Sequence, residues 1–143
     1  MTKQEMIDLL NEDLKNEWMH LRFYLYHASQ VVGLHCSEYK ELLLAHAASE
    51  MKHVTEFSDM IIGLGGAPTE ESNSFAKHTS PKEIMTYALE IESKVVENYT
   101  ERIKQAEELG GVDGQWLEIF LEKQVEHSRE DADHFKQILR GIA

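Results

Sequence analysis

Glutamate, glutamine and histidine side chains occur in four stretches of the chain at positions that a helix would turn toward an apolar core. Carboxylate and imidazole groups are the ligands that iron, manganese and zinc take from proteins. An isolated buried carboxylate is costly, so several of them at one level of a core indicate a bound cation. Taken singly, each glutamate has another explanation, because it can pair with a lysine or arginine or extend to solvent. The candidate ligands are Glu17, Glu50, His53, Glu92, Gln124 and His127.

The most informative spacing is the Glu-x-x-His motif at 50–53. It places a carboxylate and an imidazole one helical turn apart on the same face, so both can reach one ion. The segment 124–127 has the same spacing with glutamine in the first position. Di-iron four-helix proteins take one glutamate from each of two helices and a Glu-x-x-His from each of the other two. With Glu17 and Glu92 as the lone glutamates, five of those six ligands are present.

Four predicted helices carry these residues. Apolar side chains recur at three- and four-residue steps between the glycines, which is typical of helices with one buried face. Capping boxes at Thr2-x-x-Glu5 and Ser80-Pro-Lys-Glu83 mark two helix starts, and glycines mark the ends. The predicted helices span about 2–33, 37–63, 80–110 and 113–139.

The segment from about 67 to 79 is polar and too long for a tight turn. The loops between the four successive helices are therefore short, long and short. This pattern predicts an all-α, antiparallel four-helix bundle with a long crossover between helices 2 and 3, forming a single domain over residues 1–143. Because the candidate ligands fall near the middle of their helices, such a bundle would bring them to one level.

Charge and composition exclude several functions. The chain has 14 Lys and Arg residues against 26 Asp and Glu residues, a formal net charge of −12 that disfavours nucleic-acid binding. No segment has the roughly 18 apolar residues of a membrane span, and the N-terminus does not read as a secretory signal. A single cysteine, Cys36, can form neither an internal disulfide nor a Cys-x-x-Cys metal site, so a cytoplasmic location is expected.

Several short motifs occur together in an order that is similar to the bacterioferritin family of ferritin-like proteins. The likeness extends from the first helix to the end of the fourth. The motifs that carry it are Asn16-Glu17, Tyr24, His27-Ala28, Glu50-Met-Lys-His53 and Gly65-Gly-Ala-Pro68.

This resemblance implies a di-iron ferroxidase centre that oxidises Fe(II) with O2 or peroxide and passes Fe(III) to storage inside a protein cage. It implies Glu50 as a bridging ligand and Tyr24 beside the metals, although a tyrosine that only fills the core is the alternative. The sequence does not choose between iron and manganese. The implied ligands, which would also be the catalytic residues, are Glu17, Glu50, His53, Glu92 and His127.

The chain departs from the family pattern at two places. Gln124 stands where the second bridging glutamate is expected, leaving three carboxylates for the four positive charges of two Fe(II) ions, so one metal should bind weakly. After Ala143 the family's short fifth helix is missing. Since that helix lines the channels of 24-subunit cages, we expect a homo-oligomer of 12 subunits built from dimers, as Dps proteins form.

Met51 resembles the axial methionine that holds haem at the bacterioferritin dimer interface. Adjacent helical residues point about 100° apart, so Met51 should face away from the core if Glu50 faces inward. Packing at a dimer interface is the alternative role. Trp18 would then stack on the porphyrin or fill its space, and Arg22 would meet a propionate.

Other functions compete with iron storage. A haem-binding electron-transfer assembly stays open through Met51, whereas a rubrerythrin-like di-iron peroxidase is disfavoured because Cys36 alone cannot supply the four cysteines of its rubredoxin domain. The net charge disfavours a Dps-like nucleoid binder. Among the remaining polar residues, His46 can reach the core and Asp131 can orient the ring of His127. Four histidines are expected to be solvated or at the rim: His20, His35, His78 and His134.

Overall fold

The regular structure of the chain consists of helices, as a computed structural model that describes residues 1–142 shows. The predicted end of the domain at Ala143 lies outside the described residues. None of the helices within 1–142 combines the length and the apolar character that crossing a membrane requires. The four helices are α1 (Lys3–Gln30), α2 (Cys36–Gly63), α3 (Pro81–Leu109) and α4 (Gly111–Arg140).

The helix starts follow the predicted capping chemistry. The Glu5 amide donates to Thr2 Oγ1 and the Thr2 amide donates to a Glu5 carboxylate oxygen, both at 3.1 Å. At the start of α3 the Glu83 amide donates to Ser80 Oγ at 3.2 Å, and the same hydroxyl donates to Glu83 Oε1 at 3.0 Å. These reciprocal bonds satisfy amides that the first helical turn leaves without partners.

The chain divides into two compact units. The α1–α2 unit, Ile7–Ile84, contains α1 from its second turn onward, all of α2 and the crossover to α3. Its core consists of large apolar side chains that are fully buried, notably Leu10, Leu14, Phe23, Leu43, Phe57 and Ile61. The α3–α4 unit comprises Met1–Met6 and the chain from Met85 onward. Its core includes Met85, Ala88, Val95, Tyr99, Leu117, Leu121 and Phe135.

The crossover lies along α1 and is hydrogen-bonded to it. The Asn11 side chain binds the start of the crossover at two points. Its amide nitrogen donates to Ala67 O at 3.1 Å, and its amide oxygen accepts from the Thr69 backbone amide at 2.9 Å. Trp18 Nε1 donates to Thr69 O at 3.0 Å. Near the other end, the Val32 amide donates to Thr79 O at 3.0 Å. The segment therefore runs the length of α1, as its length and polarity predict.

The turn between α3 and α4 is tight and rich in glycine. Gly110 and Gly111 have φ values of 67° and 65°, a region that side chains disfavour. Gly114, in the first turn of α4, is needed for a different reason. A Cβ atom there would lie 2.5 Å from the carbonyl oxygen of Ala106 in α3, so only glycine permits this approach.

Candidate metal centre

Three predicted ligands meet in the interior of the α1–α2 unit. α1 supplies Glu17 and α2 supplies Glu50 and His53, and all three are between 2% and 6% exposed. His53 Nδ1 lies 3.2 Å from Glu50 Oε2 and 3.5 Å from Glu17 Oε2. One ligand atom from each of the three residues falls within 4.8 Å of the others. The Glu-x-x-His motif of α2 thus faces a carboxylate of α1, as its spacing predicts.

A fourth polar side chain adjoins this cluster at Glu50, and sequence reasoning missed it. His20 is 1% exposed, and its Nδ1 lies 3.8 Å from Glu50 Oε1. The expectation that His20 is solvated is therefore wrong. A signal was present in the sequence, because Glu17-Trp-Met-His20 is itself a Glu-x-x-His motif that places both side chains on one face of α1.

Burial and mutual repulsion govern the charge of this cluster. Burial, followed by the neighbouring Glu50 carboxylate, raises the pKa of Glu17 to about 7. Burial alone would also raise the pKa of Glu50, but interactions with Glu17, His20 and His53 outweigh it and lower that pKa. Burial would lower the pKa of His53, yet hydrogen bonds with the two carboxylates raise it to about 11.

The donor set fits a divalent transition metal. Without a cation, protons shared among Glu17, Glu50 and His53 must balance the buried negative charge. A divalent ion can replace those protons and bind the same carboxylate oxygens and imidazole nitrogens. The residues of the α1–α2 unit are therefore compatible with a metal centre.

Two further predicted ligands are buried in the middle of the helices of the α3–α4 unit. Glu92 of α3 is 1% exposed and Gln124 of α4 is 4% exposed. Within residues 1–142 the buried side-chain oxygen of Gln124 has no hydrogen-bond partner. An unsatisfied buried carbonyl oxygen is costly, so the absence of a hydrogen bond here is what we expect of an oxygen that binds a ligand.

His127 is not on the buried face of α4, contrary to the predicted inner stripe. Its side chain is 41% exposed, and its Nε2 lies 3.6 Å from a carboxylate oxygen of Asp131, the residue expected to orient it. The buried stripe steps from Gln124 to Ser128, so His127 lies about 60° to one side of Gln124. The role of His127 as a ligand stays a prediction.

Tyr24 lies beside the cluster. It is fully buried, its ring stacks on His46 at a centroid distance of 5.0 Å, and it meets the ring of His20 edge-on at 6.4 Å. His46 is 8% exposed and so reaches the core, as the sequence suggested. Tyr24 therefore adjoins a histidine that itself adjoins Glu50.

Two of the residues associated with haem, Met51 and Trp18, differ in their surroundings. Met51 is 57% exposed, in keeping with a side chain that points away from the core. Trp18, by contrast, donates its indole N–H to the crossover, which fixes it against this segment. Trp18 is therefore attached to the crossover of the α1–α2 unit, and its role beside a porphyrin stays a prediction.

Comparisons with known proteins agree with this fold. A family model described as a ferritin-like domain matches residues 7–142. A search of curated proteins finds no significant match.

Solved structures give further matches. Ferritin-like, diiron-carboxylate proteins of Bacillus anthracis align with a TM-score of 0.88 and 25% identity over 96% of each chain. Bacterioferritin of Mycobacterium tuberculosis aligns with a TM-score of 0.81 and 25% identity, over 95% of this chain and 84% of that one. A dodecameric thioferritin, the bacterioferritin-related protein of Bacteroides fragilis, shares the fold at 18% identity, with a TM-score of 0.83 over 96% of this chain and 86% of its own.

These matches confirm the predicted four-helix fold and the likeness to bacterioferritins. The family model covers both compact units, including every predicted ligand. The chain belongs to the ferritin-like domain family.

Proposed function

We propose that this protein oxidises Fe(II) at a di-iron centre inside the bundle and stores the product in a cage of identical subunits. The observation that carries the proposal is the buried cluster of Glu17, Glu50 and His53. Such a cluster is costly without a cation. Membership of the ferritin-like family and the neighbouring diiron-carboxylate structures support iron as that cation. The proposed ligands are Glu17, Glu50, His53, Glu92, Gln124 and His127.

The protein's own groups bind and neutralise the metal ions. Iron supplies the redox chemistry when it is bound, passing one electron from each Fe(II) to O2 or peroxide. Glu17 would give up its proton to a bound ion and, with the Glu50 carboxylate, would balance the ionic charge. The resemblance implies that Glu50 would be the bridging ligand. His53 supplies a nitrogen ligand, and the packing of α1 against α2 fixes its distance from both carboxylates.

Location and assembly follow from the same proposal. The net charge of −12 attracts Fe(II) to the subunit. We place the protein in the cytoplasm, where the thiol of Cys36 stays reduced. The proposed cage contains 12 subunits assembled from dimers.

The test is iron oxidation by the purified protein. Metal-free protein is loaded with Fe(II) under anaerobic conditions, exposed to O2, and followed by the absorbance of Fe(III). Glu50→Ala and His53→Ala should abolish bound metal and reduce oxidation to the rate of Fe(II) in buffer. The matched control is Glu41→Ala, which removes an exposed glutamate of the same helix. Wild-type protein that oxidises iron no faster than buffer overturns the proposal, as does a Glu50→Ala variant with full activity.

A second candidate function is haem binding at Met51. The observation that favours it is the 57% exposure of this thioether immediately after the ligand Glu50. A methionine from each subunit can meet across a twofold axis, because such interfaces bring the same residue from both sides. Protein from a haem-sufficient culture should then show a Soret band that Met51→Leu removes while iron oxidation persists. Colourless protein that also fails to take up added haemin would restrict Met51 to packing.

A further inference from the structure

Both helices of the α1–α2 unit carry a Glu-x-x-His motif, although the di-iron pattern expects only a lone glutamate from α1. Glu17 and His20 are on α1, and Glu50 and His53 are on α2. All four side chains are at most 6% exposed. A lone glutamate is the expected contribution of α1, so His20 is an additional nitrogen donor.

The two motifs are cross-paired. His53 of α2 lies 3.5 Å from Glu17 of α1, and His20 of α1 lies 3.8 Å from Glu50 of α2. Each helix therefore directs its histidine at the other helix's carboxylate. The distance from His20 to Glu50 exceeds that of a hydrogen bond. It does suit two ligands of one ion, because metal–ligand bonds of about 2.1 Å leave such atoms about 3 to 4 Å apart.

We propose that His20 is a metal ligand. It faces Glu50 Oε1 whereas His53 faces Glu50 Oε2, so the two imidazoles would hold separate ions on either side of this carboxylate. The inference rests on the proposed metal centre and adds a donor to it. An imidazole ligand on each ion favours Fe(II), Co(II) and Zn(II) over Mg(II) and Ca(II), which select oxygen. The extra imidazole also gives the centre a stronger ligand than the neutral amide of Gln124.

The test counts imidazole ligands on the bound ions. The background protein carries His127→Gln, which removes the other predicted imidazole at a half-exposed position. Two equivalents of Co(II) are added, and X-ray absorption at the cobalt edge, scaled by the amount of bound cobalt, counts the coordinated imidazoles per subunit from their outer-shell scattering. We expect two imidazoles in this background and one after the further change His20→Gln. Affinity for Co(II), measured by competition with a chelator, should fall by at least about tenfold.

The matched control is His27→Gln in the same background. His27 is another fully buried histidine of α1, but its ring contacts Phe23 O and the amide of His78. This variant should retain two imidazoles and unchanged affinity. A background protein that binds no Co(II), or binds it with one imidazole, overturns the proposal, as does a count that His20→Gln leaves at two.

Failure of this inference is distinguishable from failure of the proposed function. Iron oxidation is measured separately on the wild-type protein. Two imidazoles with no iron oxidation would retain His20 as a ligand and overturn the ferroxidase function. Iron oxidation with a single imidazole would retain the ferroxidase function and overturn the role of His20 as a ligand.

Discussion

Glu17 and Glu50 form a pair of carboxylates whose charges can coexist in the core only with a compensating partner. In the metal-free protein, burial and the neighbouring carboxylate raise the pKa of Glu17, so this residue retains a proton near neutral pH. His53 supplies positive charge beside both groups. Glu17 and His53 therefore carry protons that a metal ion can replace, whereas Glu50 is already ionised.

Gln124 is the residue that we expect to limit the occupancy of the proposed di-iron centre. We predict that Gln124→Glu raises the affinity for the second metal ion about tenfold, or ~1.4 kcal/mol, because it restores a fourth carboxylate. The same change should lower the thermal stability of the metal-free protein, since it buries another negative charge. Anaerobic titration with Fe(II) and thermal unfolding measure the two effects.

The control for this substitution is Gln115→Glu, at an exposed position of α4. It adds the same charge without a buried carboxylate and should change neither measurement. Two equally tight iron sites in the wild-type protein, with no gain in Gln124→Glu, would contradict the charge argument.

His27 makes stability depend on pH. It donates Nδ1–H to Phe23 O at 2.8 Å and accepts the His78 amide at Nε2 at 3.1 Å, so only the neutral ring satisfies both bonds. Burial, opposed by the Phe23 bond and assisted by the nearby charge of His78, lowers the pKa of His27. A histidine whose pKa is lower in the folded protein than in the unfolded chain makes its full contribution to stability above the unfolded pKa of about 6.5. This contribution is lost as the pH falls below that value.

We therefore predict that His27→Gln weakens the pH dependence of stability. Its amide can keep the hydrogen bond from His78 but cannot be protonated. Thermal unfolding of metal-free protein at about pH 7.5 and about pH 5 should show a smaller loss of melting temperature in the variant than in the wild type. An equal loss in the two proteins would exclude His27 as a source of the acid sensitivity.

At the scale of helices, the sequence allows prediction of the number, order and capping of α1 to α4, because apolar periodicity and glycine positions are local signals. It does not settle the exact face of α4. An apolar stripe with steps of three and four residues is more than 100° wide, so the pattern does not show whether a residue at its edge is buried or exposed. His127 is such a residue, and the polar Ser128 occupies the buried position instead.

His20 was missed although Glu17-Trp-Met-His20 repeats the Glu-x-x-His spacing. The sequence does not show that the tertiary fold brings Glu50 of α2 to 3.8 Å from His20. Conversely, the buried positions of Glu17, Glu50, Glu92 and Gln124 were predictable because each interrupts an apolar stripe.

The first turn of α4 gives a prediction about packing. Replacing a helical glycine with alanine usually stabilises a helix by up to about 1 kcal/mol. Gly114→Ala should instead destabilise the protein by roughly 1–3 kcal/mol, because the new methyl group would lie 2.5 Å from Ala106 O. Chemical denaturation measures the change. Gly63→Ala, at the end of α2 with no atom within 4 Å of the added Cβ, is the control and should be neutral or stabilising.

For the whole molecule, the exposed surface of the α1–α2 unit bears on the proposed assembly. Large apolar side chains are exposed on both helices of the α1–α2 unit, including Leu25, Leu44, Met51 and Ile62. Exposed apolar surface of this kind is typical of interfaces between subunits.

We predict an assembly of 12 subunits, with a mass of about 200 kDa from 16.5 kDa per chain. Light scattering coupled to size-exclusion chromatography measures this mass directly. Met51→Asp should reduce it, because the substitution places a charge in the proposed dimer interface. A wild-type mass near that of a monomer or dimer would exclude a storage cage and leave a single-subunit di-iron enzyme.

The crossover along α1 also has a consequence for folding kinetics. Its hydrogen bonds to Asn11 and Trp18 join residues that are 51 to 58 positions apart in the chain. Contacts of such long range require closure of a large loop, so they form after the local helices. We therefore predict that Asn11→Ala speeds unfolding and leaves the folding rate nearly unchanged, which stopped-flow measurements in denaturant can separate. A slower folding rate with unchanged unfolding would instead place the crossover among the first structures to form.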